Sequence, residues 1–204
     1  MTIRQKNCPE ARHANQLTEN PFNNREVIGE KSLESHFQPI YSIKRTRTVG
    51  LEALARPMNP VTRNPINPCV LFREAGNHGL SLELDRLCRR RALEGFANFA
   101  DEDPDILLFM NINTAFLNET AAGSNAILNL VCEFSVPPER VVLEIVENQV
   151  HSEDALMHFV STYRNHGFLI ALDDMGAGHS NLARISLLKP DIIKLDRSLI
   201  SDID

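Results

Sequence analysis

The sequence predicts an α/β fold built on a mostly parallel sheet covered by helices, with a (β/α)₈ barrel and a doubly wound sheet as the two candidate architectures. Two observations carry this expectation. Short, near-continuous apolar runs at Ile106–Ile112, Val141–Val146, Leu169–Leu172 and Ile192–Leu195 alternate with amphipathic stretches of helical period, the pattern of strands buried on both faces. A polar or ionisable residue also sits near the C-terminal end of successive runs, which is where a parallel fold places its chemistry.

Taken in order, residues 1–32 carry Pro, Asn, Arg and Glu with no sustained period, and read as a polar tail or the end of a linker. The fold is expected to start near His36. Phe37–Ile43 and Val49–Leu54 read as two strands around the polar turn Lys44–Thr48, a hairpin. Asn67-Pro68 opens a helix that Gly76 is expected to stop. Leu84, Leu87, Cys88, Ala92 and Phe96 line one face of the next helix, and Arg89-Arg90-Arg91 falls largely on the opposite, solvated side. Strand Ile106–Ile112 then precedes a helix over Ala122–Cys132. Strand Val141–Val146 precedes a helix with Ser152 as N-cap and Gly167 past its end. Strand Leu169–Leu172 leads through a glycine-bearing loop to a helix at Asn181–Leu188, and Ile192–Leu195 is the last strand.

Composition narrows the partners. The 204 residues carry a formal net charge of −6, which disfavours a DNA or RNA duplex and an anionic membrane surface, since both reward basic proteins. Cys8, Cys69, Cys88 and Cys132 are scattered without CxxC pairs, so reduced thiols are expected rather than a disulfide or zinc framework. No apolar run approaches the roughly 20 residues that span a bilayer, and a cytoplasmic location is the expectation.

The strand ends carry the chemistry. Glu52 lies in Leu51-Glu52-Ala53-Leu54, Asn111 in Phe109-Met110-Asn111-Ile112, Glu144 in Val142-Leu143-Glu144-Ile145, Asp173 and Asp174 after Ile170-Ala171-Leu172, and Lys194 in Ile193-Lys194-Leu195. Any one carboxylate alone reads as a surface residue or a satisfied ion pair, and Asp-Asp before a glycine loop alone reads as turn chemistry. Together they form an oxygen-donor set without sulfur or imidazole, which suits Mg²⁺ or Mn²⁺. Adjacent aspartates could hold two ions about 3.5–4 Å apart, as in two-metal phosphate-ester hydrolysis. Both reach one site only if the strand has ended there, because consecutive strand residues point to opposite faces. Lys194 inside an apolar strand needs a carboxylate or phosphate partner. It could pair structurally, hold an attacking water or stabilise developing phosphoryl charge.

Five segments in order resemble the signatures of EAL domains: Phe37-Gln38-Pro39-Ile40, Gly50-Leu51-Glu52-Ala53-Leu54-Ala55-Arg56, Leu143-Glu144-Ile145-Val146-Glu147, Asp173-Asp174-Met175-Gly176-Ala177-Gly178-His179-Ser180 and Lys194-Leu195-Asp196-Arg197-Ser198. The resemblance implies an EAL domain over residues 33–204, a TIM-type (β/α)₈ barrel with an antiparallel first strand. It implies two divalent ions and hydrolysis of cyclic di-GMP to the linear dinucleotide pGpG, in bacterial second-messenger signalling. By position, Glu52, Asn111, Glu144, Asp173 and Asp174 would be metal ligands, and Lys194 would position the nucleophilic water. Gln38, Leu54 and Arg56 would contact the substrate, and Glu147 would anchor the loop after Asp174. Val146, Met175, Ala177 and Asn181 depart from the commonest pattern without touching a ligand position.

The resemblance also implies further strands, one with an Ala-Glu-Gly-Val-Glu signature and one with Gln-Gly, which do not occur here, so the expected barrel is truncated to six strands. The expected partners are cyclic di-GMP, a second copy of the chain and an upstream sensor or regulatory domain. The competing reading is a catalytically inactive receptor or interaction module. Receptor-type EAL domains often lose metal ligands, which this chain retains. A barrel enzyme abstracting a proton beside a carboxylate-held Mg²⁺ would share the Glu, Asp and Lys pattern, but not the ordered motifs.

Overall fold

The computed structural model describes residues 32–114, 124–146, 152–175 and 181–195. These fall into two compact units, one within Met1–His36 and Leu54–Ala92, the other within Phe37–Ala53 and Leu93–Asp204. Six strands, β1 (Leu33–Ser42), β2 (Arg47–Pro57), β3 (Leu107–Ile112), β4 (Val141–Val146), β5 (Leu169–Met175) and β6 (Ile192–Leu195), form one sheet in the order β1-β2-β3-β4-β5-β6. From β2 onward each strand runs parallel to the next. The four-residue link between β1 and its hydrogen-bonded neighbour β2 can only reverse the chain, because a parallel connection needs a crossover of about a dozen residues or more. The first strand is therefore antiparallel, as expected. Strand order that never reverses is barrel winding; a doubly wound sheet would turn back at a switch point.

β1 begins at Leu33, four residues before the expected start at Phe37, for a packing reason. Leu33 is buried with Leu71, Ala75 and Leu84 in the core of the first unit, while Glu34 and His36 on the alternate positions stay exposed. In the same unit helix α1 (Pro68–Asn77) starts as the sequence predicts. Pro68 occupies its first turn, and Asn67 Oδ1 accepts a hydrogen bond from the Cys69 amide at 2.9 Å. The stop is corrected by three positions: the helix runs through Asn77, and Gly79 rather than Gly76 takes the left-handed turn, at φ +69°.

The solvated-face reading of the arginine triplet is also corrected. On helix α2 (Ser81–Ala100) Arg89 pairs with Asp85 at 2.5 Å, and the two side chains are only 13% and 10% exposed. A buried carboxylate demands a counter-charge, and Asp85 finds it one helical turn away. Burial and the adjacent Asp85 also push the Cys88 thiol up to about 12.

In the second unit Leu93 and Phe96 are buried on the same helix. Helix α3 begins at Ala126, not Ala122; residues 122 and 123 lie outside the described set, and Ser124 and Asn125 are not helical. The Asn125 side chain makes no cap. Instead the buried Tyr163 hydroxyl accepts from the Ile127 amide at 3.2 Å and donates to the Ser124 carbonyl at 2.8 Å. Helix α4 (Glu153–Asn165) has its predicted N-cap, Ser152 Oγ accepting from the Ala155 amide. Gly167 follows it at φ +95°. Helix α5 covers Asn181–Leu188 as expected.

Candidate active site

One face of the sheet in the second unit is apolar in one layer and ionic in the next. Phe109, Val142 and Ala171 form a buried cluster, packed by Ile40, Leu107, Leu169 and Ile192. Residues two apart on a strand share a face. Two positions further along, Val142 gives way to Glu144, Ala171 to Asp173, Ile192 to Lys194 and Phe109 to Asn111. On β2 the corresponding step is from Gly50 to Glu52, with Glu52 in register with Phe109.

Gly50 has a positioning role that the sequence reading did not assign. A Cβ there would lie 2.5 Å from Phe109 Cε2, so the Phe109 ring crosses β2 over the space a side chain would need. Glycine inside a strand is the signal that could have found it.

Lys194 is the centre of the ionic layer. Its ammonium donates to Glu144 Oε1 at 2.5 Å and to Glu52 Oε2 at 2.9 Å, and lies 3.4 Å from Asp173 Oδ2. Strands β2, β4, β5 and β6 thus meet through one nitrogen, although 142 residues separate Lys194 from Glu52. Glu144 is 0% exposed and Asp173 3%, so neither could stay ionised cheaply without a cation. Burial by itself would lower the Lys194 pKa, but Glu144 and then Glu52 more than offset it and hold the ammonium above the ordinary lysine range.

The structure thus brings together four of the sequence-predicted residues: Glu52, Glu144, Asp173 and Lys194. Asn111 is in register with Glu144 and exposed. Gln38 is exposed on β1, two residues before the packed Ile40. Leu54 and Arg56 fall in the first unit, where the half-buried Arg56 guanidinium donates to the Ala55 carbonyl at 3.0 Å. Glu147 lies outside the described residues, as does the loop of Gly176, Gly178 and His179; of Asp174 only the backbone is described.

One expectation at the aspartates is corrected. β5 does not end at Leu172 but continues through Met175. Leu172 pairs with Ile193 and Met175 with Leu195, so three steps on β5 answer two on β6. Asp173 and Asp174 occupy this bulge, and a bulge re-aims side chains without ending the strand.

The donor set suits a hard divalent cation. Three carboxylates facing one ammonium leave a formal charge of −2, and every donor is oxygen. Among the described residues no three Asp, Glu, His or Cys side chains already converge as an ion cage; their oxygens converge on the ammonium.

The EAL domain family pattern matches residues 23–204. The chain is 33% identical over 166 residues to the EAL-domain containing protein YkuI of Bacillus subtilis, covering 79% of this chain and 39% of that protein. It is 28% identical over 180 residues to the probable cyclic di-GMP phosphodiesterase PdeB of Escherichia coli, covering 88% and 34%. It therefore spans well under half the length of either relative. The solved structure of B. subtilis YkuI, in complex with substrate cyclic di-GMP and calcium, superposes with a TM-score of 0.71 at 30% identity, covering 88% of this chain and 45% of that one. With a match across most of its length, a barrel-wound sheet and the motif residues at the strand ends, the chain belongs to the EAL domain family.

Proposed function

We propose that this chain hydrolyses cyclic di-GMP to pGpG in a reaction dependent on Mg²⁺ or Mn²⁺. The observation that carries the proposal is the convergence of Glu52, Glu144 and Asp173 on the Lys194 ammonium at the C-terminal end of the parallel strands. That end is the catalytic end of barrel folds. Relatives named as cyclic di-GMP phosphodiesterases and a relative solved with cyclic di-GMP and calcium support the substrate and a divalent cofactor.

Glu52, Asn111, Glu144, Asp173 and Asp174 are the residues that would hold two ions. Bound there, divalent ions would supply polarisation of phosphoryl oxygens and activation of water at neutral pH. The protein's own groups then have distinct tasks. Lys194, on a flexible four-carbon stem, orients the attacking water and donates to charge developing on a phosphoryl oxygen. Arg56 would offer a planar fork to a substrate phosphate, and Gln38 and Leu54 would line the dinucleotide groove. The net negative charge of the chain suits this division, because the ions rather than a basic surface neutralise the substrate.

The test is turnover of cyclic di-GMP to pGpG with Mg²⁺ or Mn²⁺, comparing the chain with its Asp173→Asn variant. Turnover that falls about 10³-fold in the variant supports the proposal. A folded chain that binds cyclic di-GMP without hydrolysing it would instead be a receptor.

A further inference from the structure

The oxygens that would hold a divalent ion already hold a cation. The ammonium of Lys194 carries three N–H donors, and Glu52 Oε2, Glu144 Oε1 and Asp173 Oδ2 present it with three oxygens from three strands. A divalent ion takes oxygen ligands at about 2.0–2.6 Å. An ion drawing on these oxygens competes for them with an ammonium 2.5–3.4 Å from all three, because the two cations repel at short range in a largely water-excluded layer. The lysine stem is long enough to withdraw, and an ammonium, unlike a metal, forms no bond that fixes it in place.

We infer that Lys194 is a built-in rival of the divalent ion: it holds Glu52, Glu144 and Asp173 together when no ion is bound, and it sets metal affinity by competing for their oxygens. The inference rests on the metal-dependent reading above and adds to Lys194 a role separate from orienting water. Three carboxylates from β2, β4 and β5 repel one another, and two of them are buried. A cation among them therefore favours keeping the ends of these strands together. Lys194 supplies that cation from within the chain. A lysine that met only water or substrate would affect turnover, but neither ion affinity nor stability in chelator.

The experiment is Mn²⁺ titration by calorimetry together with thermal melting in EDTA and in saturating Mn²⁺, on the chain and its Lys194→Met variant. The variant is expected to melt lower in EDTA by about 5 °C or more, to bind Mn²⁺ about tenfold more tightly or better, and to gain more in Tm on saturation than the unaltered chain. Equal affinity together with equal melting in EDTA would overturn the inference. Should Lys194→Met fail to fold in EDTA, Glu52→Gln is added to remove one of the repelling charges: refolding of the double variant supports the inference, and a double variant just as unfolded overturns it. The two readings fail separately. If the unaltered chain binds no Mn²⁺, the metal-dependent function falls and takes the inference with it. If it binds Mn²⁺ and Lys194→Met changes nothing, only the inference falls.

Discussion

Arg140 and Lys194 are two cations drawn into the second unit, and they meet opposite kinds of partner. Arg140 ends a short 3₁₀ turn, Pro138–Arg140, directly before β4. It donates to the carbonyls of Ala100 at 2.8 Å, Asp103 at 2.8 Å and Ile106 at 3.2 Å, and its guanidinium lies 5.3 Å from the centre of the Phe96 ring. Lys194, near the far end of β6, meets three carboxylates instead. Neutral carbonyls that need donors are a folding problem, and a cation solves it outright. Carboxylates gathered around one ammonium keep a surplus of negative charge, which folding gains nothing from and a cofactor can use. The two ends of a parallel sheet thus differ in purpose: the N-terminal end is tied for stability and the C-terminal end is charged for chemistry.

The contrast can be broken by mutation. Arg140→Ala leaves three carbonyls without their donor and removes a guanidinium stacked on Phe96. It is expected to cost about 3 kcal/mol, or a fall of about 10 °C in Tm, while turnover per folded molecule stays within about twofold, as read by melting beside a kinetic assay at low temperature. Turnover lost at unchanged Tm would end the distinction between the two ends. Gly50→Ala tests the seam between the apolar and ionic layers. Its Cβ would press on the Phe109 ring, so a loss of about 2 kcal/mol is expected, with recovery of part of it when Phe109→Leu is added. No recovery would mean that the backbone rather than the ring sets the need for glycine.

The smallest effect is chemical. With the Cys88 thiol pushed up to about 12 from 9.0, its folded pKa lies above the unfolded one. The neutral thiol therefore favours folding fully below about pH 9, and this contribution fades as pH rises toward 12. At about pH 8.5 iodoacetamide should label the exposed Cys132 and spare Cys88. Equal labelling, read by mass spectrometry, would show that the first unit opens readily.

Much of this was legible in the sequence because it was local or periodic. The apolar runs marked the strands, Asn67 and Ser152 marked helix starts, and the acidic or basic residues near the ends of β2, β4, β5 and β6 marked the ionic layer. What escaped was set by partners distant in the chain. Nothing near Ser124 announces that Tyr163 will cap α3, and nothing in Pro138-Glu139-Arg140 points to carbonyls some forty residues earlier. The bulge at Asp173 and Asp174 depends on how β6 pairs, so hydropathy placed the end of β5 too early. Asp85 and Arg89 were readable, since a carboxylate and a guanidinium four residues apart on a helix are neighbours. The arginine triplet drew the reading toward solvent instead.

The place of Lys194 on β6, late in the sequence, has a consequence for synthesis. The chain leaves the ribosome from its N-terminus, so Glu52, Glu144 and Asp173 all emerge before the residue that neutralises them, the last two well after Glu52. Until residue 194 is available the nascent sheet carries three like charges at one end, and its strands can pair at their apolar positions sooner than they can close there. Neutralisation of this end of the sheet is thereby timed by a single late lysine, and translation that stalls upstream of it leaves an intermediate with an uncompensated charged end.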